Sequence, residues 1–320
     1  VRTSKLLLAL LVFAALPAAA QVNDTYIIPA AANAGGANNT RWMTSFSVFN
    51  PHLDYPLTIS ITFIPTGGAR GFEELVDVPA NSLAVSDNLL AELFNTGGTG
   101  SLLVAAFPED NPGVDDDMLA RSFLVTSNTY NNDPRGTYGQ TIPGVWAGLM
   151  NFSTDKISSI AHGIRHSARN GWRTNVGAVN LGRCNVNLLV SVYDADGNTL
   201  LDQAPMALPP LAHMQQPLPV EVEAGTIEFF VSDPCAADDD LYAVVFPYTS
   251  TIDAFSGDPT YQSPTLLAPA SSILAKSAAL AAITPGKKID VSYARAVRAA
   301  AEHLGKARLQ RTERGLQIVK

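Results

Sequence analysis

The sequence predicts an all-β chain, two tandem antiparallel β-sandwich domains followed by an α-helical C-terminal tail. Three observations carry that prediction. Apolar residues alternate with polar or small ones in short runs punctuated by Gly, Pro, Asn and Asp. A set of residues recurs in the same order about 130 positions downstream. After residue 267 the alternation gives way to an Ala-rich, basic and helix-prone composition.

The alternation is clearest at Phe46 and Val48, then at Leu57, Ile59, Ile61 and Phe63, where every second residue is free to face a core. Further strands are expected over Val76–Val85, Ser101–Ala106 and Leu119–Thr126. They are echoed by Leu188–Tyr193, Ala204–Leu211, Thr226–Val231 and Leu241–Pro247, and the run Asp194–Asn198 supplies a turn after the first of these. Short strands at this spacing favour a sandwich over an α/β fold. One helix is expected at Asp87–Phe94, capped by Ser86 or Asp87. Pro217 and Pro219 remove its counterpart from the second copy.

The repeat is read residue by residue. Trp42, Thr44 and Asn50 fall on Trp172, Thr174 and Asn180 at a shift of 130, and Val78-Pro79 falls on Leu208-Pro209. Further on a shift of 123 carries Asp115-Asp116-Asp117 onto Asp238-Asp239-Asp240, Thr126-Ser127 onto Thr249-Ser250 and Thr137-Tyr138 onto Thr260-Tyr261. A duplicated domain follows, with boundaries at 22–152 and 153–267 and a separate tail at 268–320.

The pattern Trp-x-Thr-x(5)-Asn in both copies, together with Gly136-Thr137-Tyr138-Gly139-Gln140 and Gly257-Asp258-Pro259-Thr260-Tyr261, resembles a group of poorly characterised secreted bacterial proteins built from tandem Ig-like β-sandwich modules. The resemblance covers roughly residues 26 to 267. It implies Ig-like sandwiches and carries no catalytic residue with it.

The first residues read as a secretory signal peptide. Arg2 and Lys5 precede an apolar run from Leu6 to Leu16, and Ala18-Ala19-Ala20 offers a cleavage site before Gln21, giving a leader over 1–20. No later stretch reaches the roughly 20 apolar residues that span a bilayer. A secreted, periplasmic or cell-surface location suits Cys184 and Cys235, which would pair in an oxidising compartment or stay as buried thiols. The net charge of -8 conceals an asymmetry. From Lys276 onward ten Lys or Arg face three acids, and the leader is basic, so the region between carries about -17 by subtraction. An acidic body repels phosphates and excludes nucleic acid as its partner.

Candidate chemistry is sparse. The triplets Asp115, Asp116, Asp117 and Asp238, Asp239, Asp240 supply the oxygen ligands calcium prefers, or form solvated acidic loops. His162 and His166 are four residues apart on an expected strand, about 13 Å, too far to share one metal. No Gly-x-Ser-x-Gly elbow occurs. Trp42 and Trp172 suit core packing at a sandwich end or an aromatic platform for a sugar. In the tail, Tyr293, Val297, Ala300 and Leu304 share a face of an expected helix over Val291–Leu309, which would touch an anionic membrane, an acidic partner or the acidic body itself.

The expectation is therefore a non-catalytic structural, adhesion or surface-assembly protein with no required cofactor and an unidentified protein, glycan or cell-surface partner. A carbohydrate-binding or calcium-dependent ligand-binding protein is the alternative, and an exported hydrolase a third.

Overall fold

A computed structural model describes residues 23–36, 40–68, 71–115, 117–133, 136–146, 151–152, 158–182, 184–233, 244–267, 308–312 and 315–319. The chain is mostly β, in several antiparallel sheets.

The first module contains β1 (Thr25–Gly35), β2 (Arg41–Asn50), β3 (Leu57–Pro65), β4 (Phe72–Val78), β5 (Ser82–Ser86), β6 (Gly98–Ala105), β7 (Leu124–Asp133), β8 (Gly136–Pro143) and β9 (Val145–Trp146). One layer runs β5-β2-β7-β8 and the other β4-β3-β6-β1-β9. They join where β1, after a bulge between Ile28 and Ala31, pairs its last residues with the start of β2. Leu57, Ile59, Ile61 and Phe63 of β3 meet Phe46 and Val48 of β2 in a core between the layers, as their alternation predicts.

The second module contains β10 (Asn151–Phe152), β11 (Ser158–His166), β12 (Trp172–Asn180), β13 (Val186–Tyr193), β14 (Leu200–Leu208), β15 (Ala212–Pro217), β16 (Val222–Asp233), β17 (Val244–Asp253), β18 (Pro259–Gln262) and β19 (Thr265–Leu267). Its layers run β15-β12-β17-β18 and β14-β13-β16-β11-β19, which is the order of the first module strand for strand. β10 pairs with β17, so Asn151 and Phe152 belong to the second module's sheet and the expected boundary at 152 moves upstream. Counted along each module, the order is 5-2-7-8 over 4-3-6-1-9. The 2–5 and 3–6 pairings match those of an Ig constant domain, while strand 1 lies beside strand 6 and strand 7 beside strand 2.

Four expectations are corrected. The strand expected over Val76–Val85 is two strands in different layers, because the chain crosses over at Pro79–Asn81, where Asn81 takes φ 48. Leu119 to Ser122 form turns ahead of β7. The helix is a single turn, α1 (Leu89–Glu92), entered at Asn88, and the Ser86 hydroxyl donates to Glu92. In the tail the described residues form a hairpin, β20 (Arg308–Thr312) and β21 (Gly315–Val319), so Arg308 and Leu309 are strand where helix was expected. β21 adds in parallel to the edge of β5. The remainder of the expected tail helix, 291–307, lies outside the described residues.

The repeat register is also corrected. Thr44 stands opposite Thr129 and Thr174 opposite Thr251, so β7 maps onto β17 at a shift of 122. The expected 123 would turn every side chain of the strand to the wrong face. β8 pairs Gln140 with Thr129 while β18 pairs Thr260 with Thr251, so Thr137-Tyr138 is not the counterpart of Thr260-Tyr261.

Candidate functional site

The two sandwiches stack face to face, giving four layers of sheet. The outer face of β3-β6-β1 in the first module meets the outer face of β15-β12-β17 in the second. Ile27, Ile64, Leu103, Ala105 and Phe107 close against Val179 and Phe246 in a third apolar cluster. These are the residues out of phase with each module's own core, so strands such as β6 read as continuous apolar runs rather than alternating ones.

Beside this cluster lies a polar group. His213, on β15, is fully enclosed; its Nδ1 is 2.7 Å from the Thr66 hydroxyl of the first module and its Nε2 is 2.8 Å from the Tyr248 hydroxyl. Tyr248 donates to Gln215 Oε1 at 2.7 Å and the Thr66 hydroxyl donates to the Thr99 carbonyl at 2.9 Å, so the polar group continues past His213 on both sides. Gly67 N donates to the His213 carbonyl at 2.9 Å. The Tyr248 ring lies flat on Gly177, where a Cβ would come within 2.3 Å of Cζ, and stacks between His213 and Tyr261. Burial lowers the His213 pKa to about 3, so the ring is neutral, and it raises those of both tyrosines.

The seam opens into a cavity of about 240 Å³ bounded by Trp42, Gly36, Gln140, Arg173, Tyr248 and Ser250. Gln140 Nε2 donates to the Ser250 hydroxyl across it at 3.0 Å. Trp42 is half-buried and belongs to none of the hydrophobic cores, and Trp172 likewise lies outside them, capped by the Arg165 guanidinium at 5.2 Å. Neither tryptophan therefore takes the first of its two expected roles, packing in a module's core.

The other repeated residues are fully engaged in the fold. Thr44 and Thr174 are buried and share hydroxyl hydrogen bonds of 2.8 Å with Thr129 and Thr251. Asn50 Nδ2 reaches the carbonyls of Tyr55, Val78 and Pro79 at 3.0 to 3.2 Å, while its Oδ1 accepts from His52 N. Asn180 repeats the set with Cys184, Leu208, Pro209 and Gly182 N, at 2.8 to 3.2 Å.

A larger cavity of about 430 Å³ lies at one end of the first module, between Tyr55, Thr58, Asn111 and Asp115. Its wall is held by Arg121, which is buried, pairs with Asp24 at 3.2 Å and donates to the carbonyls of Ala106 and Asp115. Burial raises the Asp24 carboxyl above its ordinary range, with the Arg121 charge opposing. The Asp117 carboxylate accepts from Leu119 N. Among the described residues no three His, Cys, Asp or Glu side chains gather where they could hold a metal. Asp116 and the second triplet, Asp238 to Asp240, lie outside the described residues, as does Cys235, the expected partner of Cys184. His162 is exposed on β11, and His166 Nδ1 accepts from Thr174 N at 3.0 Å, a strand-edge role.

His213, Tyr248 and Gln215 went unsignalled in the sequence. Their counterparts in the first module are Leu83, Thr126 and Val85, so only the correct shift of 122 shows Tyr248 replacing Thr126 where Gly177 replaces Ser47. No protein-family model matches the chain. No curated protein matches it either.

Proposed function

We propose that this chain is a non-catalytic, exported structural protein whose two Ig-like sandwiches form one rigid unit for adhesion or surface assembly, as in the secreted bacterial proteins its sequence resembles. One observation carries the reading. The Thr and Asn residues kept in both copies hold strands and crossovers together by the same hydrogen bonds in each. What the duplication retained is therefore the module itself, and the new chemistry of the second copy, His213 with Tyr248, is used to join the modules.

Export and a Cys184–Cys235 crosslink belong to the same proposal. Expressed in a bacterial host with its leader, the chain is expected in the periplasm, medium or cell surface, beginning at Gln21 and without an alkylatable thiol before reduction. Retention in the cytoplasm with residues 1–20 intact would overturn it. The basic segment 268–320 is proposed to assist attachment to an anionic membrane or acidic partner, and loss of vesicle co-sedimentation on its removal tests that role.

The ligand-binding alternative is favoured by one observation, the half-buried Trp42 facing the cavity between the modules beside Arg173. A glycan array separates the two readings: retention of a glycan by the native chain and its loss in Trp42→Ala would establish sugar binding. A rise in melting temperature with millimolar calcium would establish a metal-dependent form.

A further inference from the structure

The duplication gives each module the same two outer sheet faces, and the seam uses one from each. The second module contributes its β15-β12-β17 face, through Val179 and Phe246; the first contributes its β3-β6-β1 face, through Ile27, Ile64, Leu103 and Ala105. The counterparts of these two faces are left at the two ends of the stack.

Cross-strand register identifies them residue by residue. Phe49 stands opposite Leu83 and Leu124 in β5-β2-β7, as Val179 stands opposite His213 and Phe246 in the second module. The first module thus carries the row Leu83-Phe49-Leu124 where the second carries its docking row. Leu83 and Leu124 are each 38% exposed and Phe49 is half-buried. At the other end, Leu189 pairs with Phe230 and Ile160 with Glu228, as Ser60 pairs with Ala105 and Ile27 with Leu103. Ile160, Tyr193 and Phe230 therefore occupy the places of Ile27, Ile64 and Ala105, and all three are half-buried. The hairpin β20–β21 pairs with the edge of β5.

We propose that the β5-β2-β7 face of one copy docks on the β13-β16-β11 face of the next, head to tail, repeating between chains the seam found within each. Such a contact joins two different patches, so every added copy covers one free face and presents another. Glu228 stands where Leu103 stands in the seam. It already accepts from the Ser158 hydroxyl and the Tyr193 hydroxyl, which lessens but does not remove the cost of covering a carboxylate. The intermolecular contact is accordingly weaker than the seam and concentration-dependent.

The inference rests on the structural reading above and names the partner as a second copy. Sedimentation of the full chain over a concentration series tests it. The native protein is expected to self-associate; Leu124→Arg and Phe230→Arg are each expected to raise the midpoint concentration more than about thirtyfold, a hot-spot loss. An equimolar mixture of the two variants retains one compatible pair of faces, so it is expected to form dimers and nothing larger. Glu228→Leu is expected to lower the midpoint. Ile160→Arg, on the same face, stands in for Phe230→Arg if that variant melts abnormally. A native chain that stays monomeric up to millimolar concentration overturns the proposal while leaving the structural reading intact if the chain is still exported. Loss of association with Leu124→Arg but not with Phe230→Arg overturns it in favour of a symmetric contact between like faces. An unchanged midpoint in Glu228→Leu overturns the placement of that face.

Discussion

Asn50 and Asn180 show how much one side chain can hold. Each reaches from the end of its strand to the crossover that carries the chain from one layer to the other, and each ties two adjacent carbonyls, 28 and 29 residues away, to its own loop. Truncation to Ala leaves several buried carbonyls without their donor, so Asn50→Ala or Asn180→Ala is expected to cost on the order of 3 kcal/mol in urea denaturation. A loss under about 1 kcal/mol would show that water replaces the latch. The same crossover takes a left-handed backbone in both copies but on different residues, Asn81 at φ 48 and its counterpart Leu211 at φ 59. Asn tolerates that region and Leu does not, so Leu211→Asn is expected to stabilise the chain by up to about 1 kcal/mol, less the packing its half-buried side chain gives up. His213 adds a pH dependence. The unfolded chain binds its proton near the ordinary value of 6.5, and the folded ring only near 3. Between these values the unfolded state holds more protons, so the stability contribution is complete above pH 6.5 and falls progressively toward pH 3. His213→Gln is expected to be less stable at neutral pH and to show a flatter decline on acidification; a parallel decline would place the acid sensitivity elsewhere.

At the scale of elements, the face a strand turns to its own module's core was legible, because Leu57, Ile59, Ile61 and Phe63 alternate and the structure buries all four. Three kinds of feature were less so. A single αL residue at Asn81 divides what reads as one apolar stretch into two strands of different layers, and propensity does not foresee a change of sheet. The shift between copies is set by hairpin lengths, and one residue of error hid the Gly177–Tyr248 exchange and with it the seam. Residues 308–319 continue a basic stretch whose composition favours helix, yet they form strands because β5 offers an edge to pair with. That pairing predicts a readout. Removing residues 308–320 is expected to increase hydrogen exchange at Ala84 and Val85, which face Leu316 and Gln317, while leaving Val48 in the centre of the sheet protected. Equal exchange in both chains would mean that the hairpin does not hold the edge in solution.

At the scale of the molecule, the four layers share three apolar interfaces, and the middle one decides whether the modules behave as one body. Ile27, Ile64, Leu103 and Val179 are almost wholly enclosed there, and the Thr66–His213–Tyr248–Gln215 chain gives the contact polar partners with fixed geometry. Interfaces between domains in one chain usually allow relative motion, but an apolar one crossed by a chain of buried hydrogen bonds couples their unfolding. The native chain is therefore expected to melt in a single calorimetric transition whose calorimetric and van't Hoff enthalpies agree. Phe246→Asp places a carboxylate in the seam without touching either module's own core, and an unpaired buried charge of that kind costs several kcal/mol. The variant is expected to resolve into two transitions, one per sandwich, with cores that remain intact by circular dichroism. If it melts in one transition at an unchanged temperature, the apolar seam is not what couples the modules. If it splits, the stacking is what makes two copies of one module a single unit.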